Sequence, residues 1–145
     1  MRNLFLSLLV LLTSFSVKSQ NSNLPYSEKD YLVTMNKVVN TVEDLYNSNG
    51  DDTTLTTQLM TLSSDSVYVL SGGMDQRFPS NYSIKEWFIP VINTLSTYSE
   101  TTLKVVEKDL CKWGVWFRVE VTDMYGVNYI DFAINRENKL RSIIL

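Results

Sequence analysis

The sequence predicts an α+β fold in which helices pack against one face of an antiparallel sheet. Two observations carry this prediction. Apolar residues recur at helical spacing through the first part of the chain, and from Thr101 onward the period changes from 3.6 residues to two. The four period-two segments that follow are joined by three or four residues, which forces antiparallel hairpins. Helices first and a β-meander last are typical of segregated α+β domains.

The first 19 residues have the pattern of a secretory signal peptide. Arg2 provides a positive n-region, residues 4–12 form an apolar stretch that is too short to span a bilayer, and Val17-Lys18-Ser19 provides a cleavage site. A core helix is the alternative, but the polar residues after the apolar stretch continue no helical face. We therefore expect an exported protein, secreted or periplasmic, with no membrane span. The expected organisation is a signal peptide over 1–19, a flexible lead-in over 20–26 and one domain over 27–145.

Charge and cysteine content restrict the classes of partner and site. Without its first 19 residues the chain keeps 11 basic and 16 acidic residues, a net charge of −5, which disfavours nucleic acids and anionic membrane surfaces. Cys111 is the single cysteine, so the chain forms no internal disulfide and no thiolate cluster for a metal. The absence of histidine excludes Ser-His-Asp and Cys-His catalysis. We therefore expect no metal and no other cofactor.

Two helices are predicted at the start of the domain. Ser27 has the position of an N-cap, and an apolar stripe at helical spacing runs from Tyr31 to Tyr46. Asn49-Gly50 provides the stop signal. A shorter helix is expected after Asp51-Asp52, which would cap its N-terminus.

The rest of the chain is predicted to hold one strand, a third helix and the meander. A strand is expected over 66–70, followed by a loop over 74–82. The capping-box sequence Ser83-Ile84-Lys85-Glu86 opens the third helix, in which Pro90 predicts a kink. The alternative is that the regular helix begins at Pro90 itself. Asn81-Tyr82-Ser83 is an N-glycosylation acceptor if the source is a eukaryote. The four strands of the meander are expected over 102–110, 114–122, 127–135 and 140–145.

This order of elements resembles the nuclear transport factor 2-like superfamily, which includes SnoaL-like and ketosteroid-isomerase-like proteins. Residues 59–69 are similar to the family's short helix running into its first strand, and residues 132–143 to its last hairpin. The resemblance covers roughly 27–145. It implies a cone-shaped α+β fold with three N-terminal helices packed on a curved, mostly antiparallel sheet. It does not fix an activity, because this fold hosts enzymes, binding modules and assembly domains.

Strand alternation predicts where the carboxylates of the meander lie. In the two central strands the aliphatic and phenylalanine side chains share one face, which we expect to face the helices, so Glu120 and Asp131 lie on the outer face. That arrangement lacks the interior aspartate base of the family isomerases. Glu107 is the exception, because it alternates with Leu103 and Val105 and is expected to point inward. It is the one weak catalytic candidate.

Two groups of side chains are candidates for binding. Aromatic residues between the helices and the sheet suit either a ligand pocket or an ordinary core: Tyr31, Tyr46, Tyr68 and Trp87. Aromatic and oppositely charged residues on the outer sheet face suit either an interface or a solvated surface: Trp116, Arg118, Glu120, Tyr129, Asp131 and Arg141. The resemblance implies that such a face forms homodimers.

These observations favour an exported, non-catalytic domain that binds a small apolar ligand or associates with itself. An isomerase- or hydratase-like enzyme, with an inward carboxylate and a tyrosine donor, is the first alternative. A protein-interaction module is the second.

Overall fold

The computed structural model describes residues 24–48, 52–71, 74–95 and 100–145, with side chains except those of residues 71, 74–78, 81, 94 and 95. The predicted signal peptide and the Asn49-Gly50 stop lie outside the described residues. The helices are α1 (Glu28–Asn47), α2 (Thr53–Leu62) and α3, which is composed of Ser80–Tyr82, Ser83–Phe88 and Ile89–Leu95. The strands are β1 (Ser63–Ser71), β2 (Met74–Pro79), β3 (Thr102–Cys111), β4 (Gly114–Asp123), β5 (Gly126–Ile134) and β6 (Leu140–Ile144).

The sheet has six strands in the order β2-β1-β6-β5-β4-β3. The β1–β6 pair is parallel and every other pair is antiparallel, so the prediction of a mostly antiparallel sheet under three helices is confirmed. The predicted loop over 74–82 is wrong, because residues 74–79 form β2 and pair with β1. An edge strand gains its hydrogen bonds from its one neighbour and needs no apolar face, so β2 leaves little period-two signal in the sequence.

The start of α1 confirms the predicted cap. The backbone N–H of Asp30 donates to the Ser27 hydroxyl at 3.2 Å, and the Ser27 N–H donates to the Asp30 carboxylate at 3.0 Å, which closes a capping box. Hydrogen bonds from the Ser27 side chain and then from its backbone hold the pKa of Asp30 below its ordinary value. In α2 the carboxylate of Asp52 accepts the N–H groups of Thr54 and Leu55, as the sequence predicts.

The third helix begins at Ser80 rather than at the predicted capping box. Ser83 is fully buried, and its hydroxyl donates to the carbonyl of Val67 at 2.9 Å, so it anchors the helix to β1 instead of capping it. Residues Ser83–Phe88 form a π-helical segment in which the N–H of Ile89 donates to the carbonyl of Ile84. Pro90 offers no N–H and its ring conflicts with a regular preceding turn, which accounts for the widened turn before it. The α-helical segment Ile89–Leu95 begins one residue before Pro90, close to the alternative start, and the kink stays a prediction.

The core lies between α1 and the inner face of the meander. The predicted alternation holds: Val115, Phe117, Val119 and Val121 of β4 are buried, as are Ile130, Phe132 and Ile134 of β5. The rings of Phe117 and Phe132 stack across the two strands with centroids 5.3 Å apart. Within the residues that the structure describes, no helix is long and apolar enough to cross a membrane.

Candidate ligand-binding site

A small cavity of about 150 Å³ lies where the end of α1 meets the ends of β4 and β5. Tyr46 enters it from the last turn of α1, because the apolar stripe of that helix faces the sheet. β5 extends past the end of β6, whose pairing with β5 begins only at Asp131, and this leaves room beside residues 128–130. We call this space the Tyr46 cavity; its lining residues are Tyr46, Val121, Asp123, Asn128, Tyr129, Ile130 and Leu145.

Tyr46 is the polar group that the helix places deepest in this cavity. Its side chain is 2% exposed, and its hydroxyl makes no hydrogen bond within the described residues. Burial and, to a smaller extent, the Asp123 carboxylate raise the pKa of Tyr46 to about 12. The phenol therefore stays protonated at physiological pH and is a hydrogen-bond donor toward the cavity.

Asp123 brings a carboxylate to the same cavity but is already engaged. Its Oδ1 accepts the backbone N–H groups of Tyr125 at 2.8 Å and Gly126 at 3.1 Å, which shapes the β4–β5 turn. The cavity thus combines apolar walls, the buried phenol of Tyr46 and a carboxylate that is held by its own turn. In the sequence, Asp123 lies in the joint between the strands expected over 114–122 and 127–135. The shared location follows from pairing across β4 and β5 and from the direction of α1.

The raised pKa of Tyr46 predicts a loss of stability in alkali. In the unfolded chain the phenol ionises near pH 10, whereas in the folded protein it holds its proton to about pH 12. The stabilisation is fully present below pH 10 and is lost as pH rises toward 12, by about 2–3 kcal/mol in the free energy of unfolding. Urea unfolding below pH 10 and near pH 12 should show this loss in the wild type and a smaller loss in Tyr46→Phe.

Tyr125→Phe provides the control for alkaline unfolding, because Tyr125 is 73% exposed on the neighbouring turn. This variant should lose as much stability as the wild type between the two pH values. An equal loss in Tyr46→Phe would contradict the assignment of the effect to the buried phenol.

The other predicted pocket aromatics lie elsewhere. Tyr31 is fully buried and its hydroxyl donates to the Arg136 carbonyl at 2.7 Å, so it fastens α1 to the β5–β6 turn rather than lining a cavity. Tyr68 stands between two buried β1 residues and opposite Ser142 of β6, which places it on the outer face. The prediction for Tyr68 is wrong because the strand it occupies turns its valines inward. Trp87 is half-buried and packs against the core.

Glu107 also faces outward, contrary to the expected alternation. The β3–β4 register shifts between Val105, which pairs with Val119, and Glu107, which pairs with Arg118. Val106 is the extra residue of this bulge and is 43% exposed. One inserted residue reverses the alternation, so Glu107 joins the outer face and not the interior.

The outer face brings several of the predicted interface residues together. Arg118 donates to both carboxylate oxygens of Asp131, at 2.7 and 2.8 Å, and lies 5.5 Å from the ring centroid of Trp116. Glu120 pairs across the strands with Tyr129, which is 53% exposed. Arg141 lies on β6 and lines a crevice together with Trp116. The interface role of all six residues stays a prediction.

No cluster of three or more histidine, cysteine, aspartate or glutamate side chains in the described part of the chain has a geometry that could hold a metal ion. The single described cysteine, Cys111, is a half-buried free thiol at the end of β3.

No protein-family model and no curated protein matches the sequence. Several solved structures resemble the structure of the chain. An NTF-2 like protein of unknown function from Silicibacter pomeroyi is 12% identical, with a TM-score of 0.49 over 82% of this chain and 97% of that one. SalBIII, an epoxide hydrolase/cyclase-like enzyme in pyran ring formation in salinomycin, is 11% identical, with a TM-score of 0.53 over 81% and 90%. A Sinorhizobium meliloti protein described as a polyketide cyclase is 14% identical, with a TM-score of 0.50 over 77% and 96%.

The chain has the nuclear transport factor 2-like fold. The predicted cone of three helices on a curved, mostly antiparallel sheet is thereby confirmed. At identities of 14% and 11%, the likeness of this chain to the Sinorhizobium meliloti protein and to SalBIII establishes the fold and no activity.

Proposed function

We propose that this chain is an exported nuclear transport factor 2-like domain that binds a small apolar ligand in the Tyr46 cavity. The observation that carries the proposal is the phenol of Tyr46, which lines the cavity, is protonated and has no hydrogen-bond partner within the described residues. A phenol that donates to no described protein group is available to donate to a ligand oxygen. The ligand is therefore apolar apart from one hydrogen-bond acceptor.

The size and the walls of the cavity restrict the ligand further. A volume of about 150 Å³ accommodates one six-membered ring, since apolar cavities of about this size bind benzene. Val121, Ile130 and Leu145 supply apolar contact, and Asn128 and Asp123 lie at the polar side. A cyclic ketone has the matching chemistry, because its ring fills the apolar part and its carbonyl accepts from Tyr46.

A titration with cyclohexanone, followed by protein NMR, tests this assignment. We expect saturable shift changes at Val121 and Ile130, and an affinity about tenfold weaker in Tyr46→Phe, the effect of one lost hydrogen bond. Methylcyclohexane lacks a hydrogen-bond acceptor, so its affinity should be the same for the wild type and for Tyr46→Phe. Failure of cyclohexanone to shift these residues, or equal affinity for both proteins, would count against the proposal.

An isomerase- or hydratase-like enzyme is the second candidate, and the presence of Tyr46 and Asp123 in one cavity favours it. Such an enzyme needs the carboxylate of Asp123 as a base. The Oδ1 of Asp123, however, already accepts two backbone N–H groups. The same cyclohexanone sample in D₂O separates the two functions. A binding domain leaves the α-protons unexchanged, while deuterium uptake that is abolished in Asp123→Asn would establish the enzyme.

Self-association through the outer face is a separate part of the proposal. Trp116 and Tyr129 offer aromatic surface beside the Arg118–Asp131 ion pair, a composition that suits an interface. Light scattering should report a dimer for the wild type and a monomer for Trp116→Glu. An unchanged mass would remove this interface.

The export part of the proposal rests on Arg2 and the apolar stretch over 4–12. N-terminal sequencing of protein recovered from its host should begin at Gln20. A sequence that begins at Met1 would refute cleavage.

A further inference from the structure

At the opposite end of α1 from Tyr46, two neighbouring cavities share Asn135 and Arg141, and we call them together the Arg141 groove. The larger is a polar hollow of about 480 Å³, within the range of small-molecule sites. Its lining residues are Ser63, Ser64, Asp65, Ser66, Asn135, Glu137, Lys139 and Arg141. The smaller is a crevice of about 100 Å³ lined by Cys111, Trp113, Gly114, Val115, Trp116, Ala133, Ile134, Asn135 and Arg141.

An irregularity in the sheet creates this groove. β1 and β6 pair at Ser63–Leu140 and next at Tyr68–Ser142, so residues 64–67 stand opposite Arg141 alone. The β5–β6 register shifts at the same point. The strands therefore part around Arg141, whose exposed guanidinium has no hydrogen bond or ion pair within the described residues.

Tryptophan forms the apolar end of the groove. Trp113 is 65% exposed in the β3–β4 turn, where the ammonium of Lys112 lies 4.8 Å from its ring centroid. Gly114 has a φ of 128° and no room for a Cβ, so this turn lies directly against the end of β5. Trp116 forms part of the wall of the crevice, and the small side chain of Ala133 leaves space beside it.

The polar end is held in place by contacts of its own. The hydroxyl of Ser64 donates to the carbonyls of Ser66 at 2.6 Å and Leu140 at 3.1 Å. The ammonium of Lys139 donates to the Thr61 carbonyl at 2.7 Å, and its backbone N–H donates to the Asn135 side chain. Groups that are fixed before binding lose little freedom when a ligand arrives.

The charges of the hollow cancel. Two carboxylates, Asp65 and Glu137, oppose two cations, Lys139 and Arg141, so the hollow offers both acceptors and donors and no net attraction for an anion. Phosphate ligands require a basic surface, which disfavours a nucleotide here. Hydroxyl groups both donate and accept, and they suit such a mixed set.

We propose that the Arg141 groove binds a neutral carbohydrate. A sugar ring has an apolar C–H face and a rim of hydroxyls, and the groove has an exposed indole beside a mixed hydrogen-bonding hollow. One ring stacks on Trp113 while the next unit places its hydroxyls against Asn135, Arg141 and the carboxylate of Asp65 or Glu137. This site is separate from the Tyr46 cavity and does not depend on its function.

Calorimetric titration of the full chain with cellotetraose, maltotetraose and chitotetraose tests this proposal. We expect at least one of the three to bind, with a change in tryptophan fluorescence. Trp113→Ala should weaken that binding by about tenfold or more, as loss of a ring contact does. Arg141→Gln should weaken it by a similar factor through the lost hydrogen bonds. Both side chains are exposed, so both variants are expected to fold.

Tyr125→Ala is the matched control, because it removes an exposed aromatic ring from the next hairpin turn outside the groove. It should bind as the wild type does. Absence of binding to all three oligosaccharides, or binding that survives both groove variants, would overturn the proposal. The dipeptide Gly-Tyr presents one aromatic ring, one positive charge and one negative charge. If it binds more tightly than every sugar, the ligand of the groove is a peptide and not a carbohydrate.

Discussion

Gly114→Ala is expected to destabilise the fold by about 3–5 kcal/mol. Gly114 has a φ of 128°, a conformation that L side chains rarely adopt. A Cβ at this position would in addition overlap the carbonyl oxygen of Ile134, a backbone atom of β5 that has no alternative position. β4 would have to move away from β5 at the point where Gly114 lies against Ile134. Urea unfolding, with the free energy extrapolated to water, measures the effect.

Gly126→Ala separates the two contributions. Gly126 has a similar φ of 139°, but nothing lies within 4 Å of a Cβ placed there. This variant should lose about 1–2 kcal/mol, the cost of the backbone conformation alone. Equal losses in the two variants would mean that the close approach of Gly114 to Ile134 contributes nothing.

Phe132→Ala is the second large effect, with an expected loss of about 3–5 kcal/mol in the free energy of unfolding. Phe132 is fully buried at the centre of the sheet and stacks on Phe117. Truncation leaves a cavity that α1 and the inner sheet face close only in part, and it removes the ring contact as well. Denaturant unfolding or a thermal melt gives the measurement.

Phe132→Leu and Tyr129→Ala are the controls for this prediction. Phe132→Leu keeps most of the buried volume and should lose less than half as much as Phe132→Ala. Tyr129 is exposed on the same strand, and Tyr129→Ala should change stability by about 0.5 kcal/mol or less. A small effect of Phe132→Ala would show that the inner face of β5 is not the packed layer described above.

The sequence predicts the fold far better than it predicts the site, and the reason is physical. Each predicted element repeats the preference of apolar side chains for burial many times, so single exceptions do not obscure it. This holds for the helical stripe from Tyr31 to Tyr46 and for the alternation in β4 and β5. The cap at Ser27 is similarly local, because its partner Asp30 lies three residues away. Features of this kind are complete within a short segment.

The errors arise where one residue changes the register or where the partner is distant. The bulge at Val106 reverses the direction of Glu107, and no local pattern marks a bulge in an edge strand. Ser83 looks like an N-cap, but the carbonyl of Val67 from β1 takes its hydroxyl. The predicted inward direction of Tyr68 is wrong because its neighbouring valines, rather than its own ring, fill the core.

The candidate site depends on the same distant relations. The helical position of Tyr46 predicts a pocket aromatic, whereas the place of Asp123 beside it depends on how the β4–β5 turn lies against the end of α1. The Arg141 groove depends on two register shifts that coincide. Neither follows from spacing along the chain.

The bulge at Val106 also limits how two copies of this protein meet. A flat outermost strand would offer its free amide and carbonyl groups to another molecule, and sheets would then join end to end into fibres. Here the protruding valine and the charged run Glu107-Lys108-Asp109 interrupt that border. The joining of two sheets along β3 is thereby disfavoured.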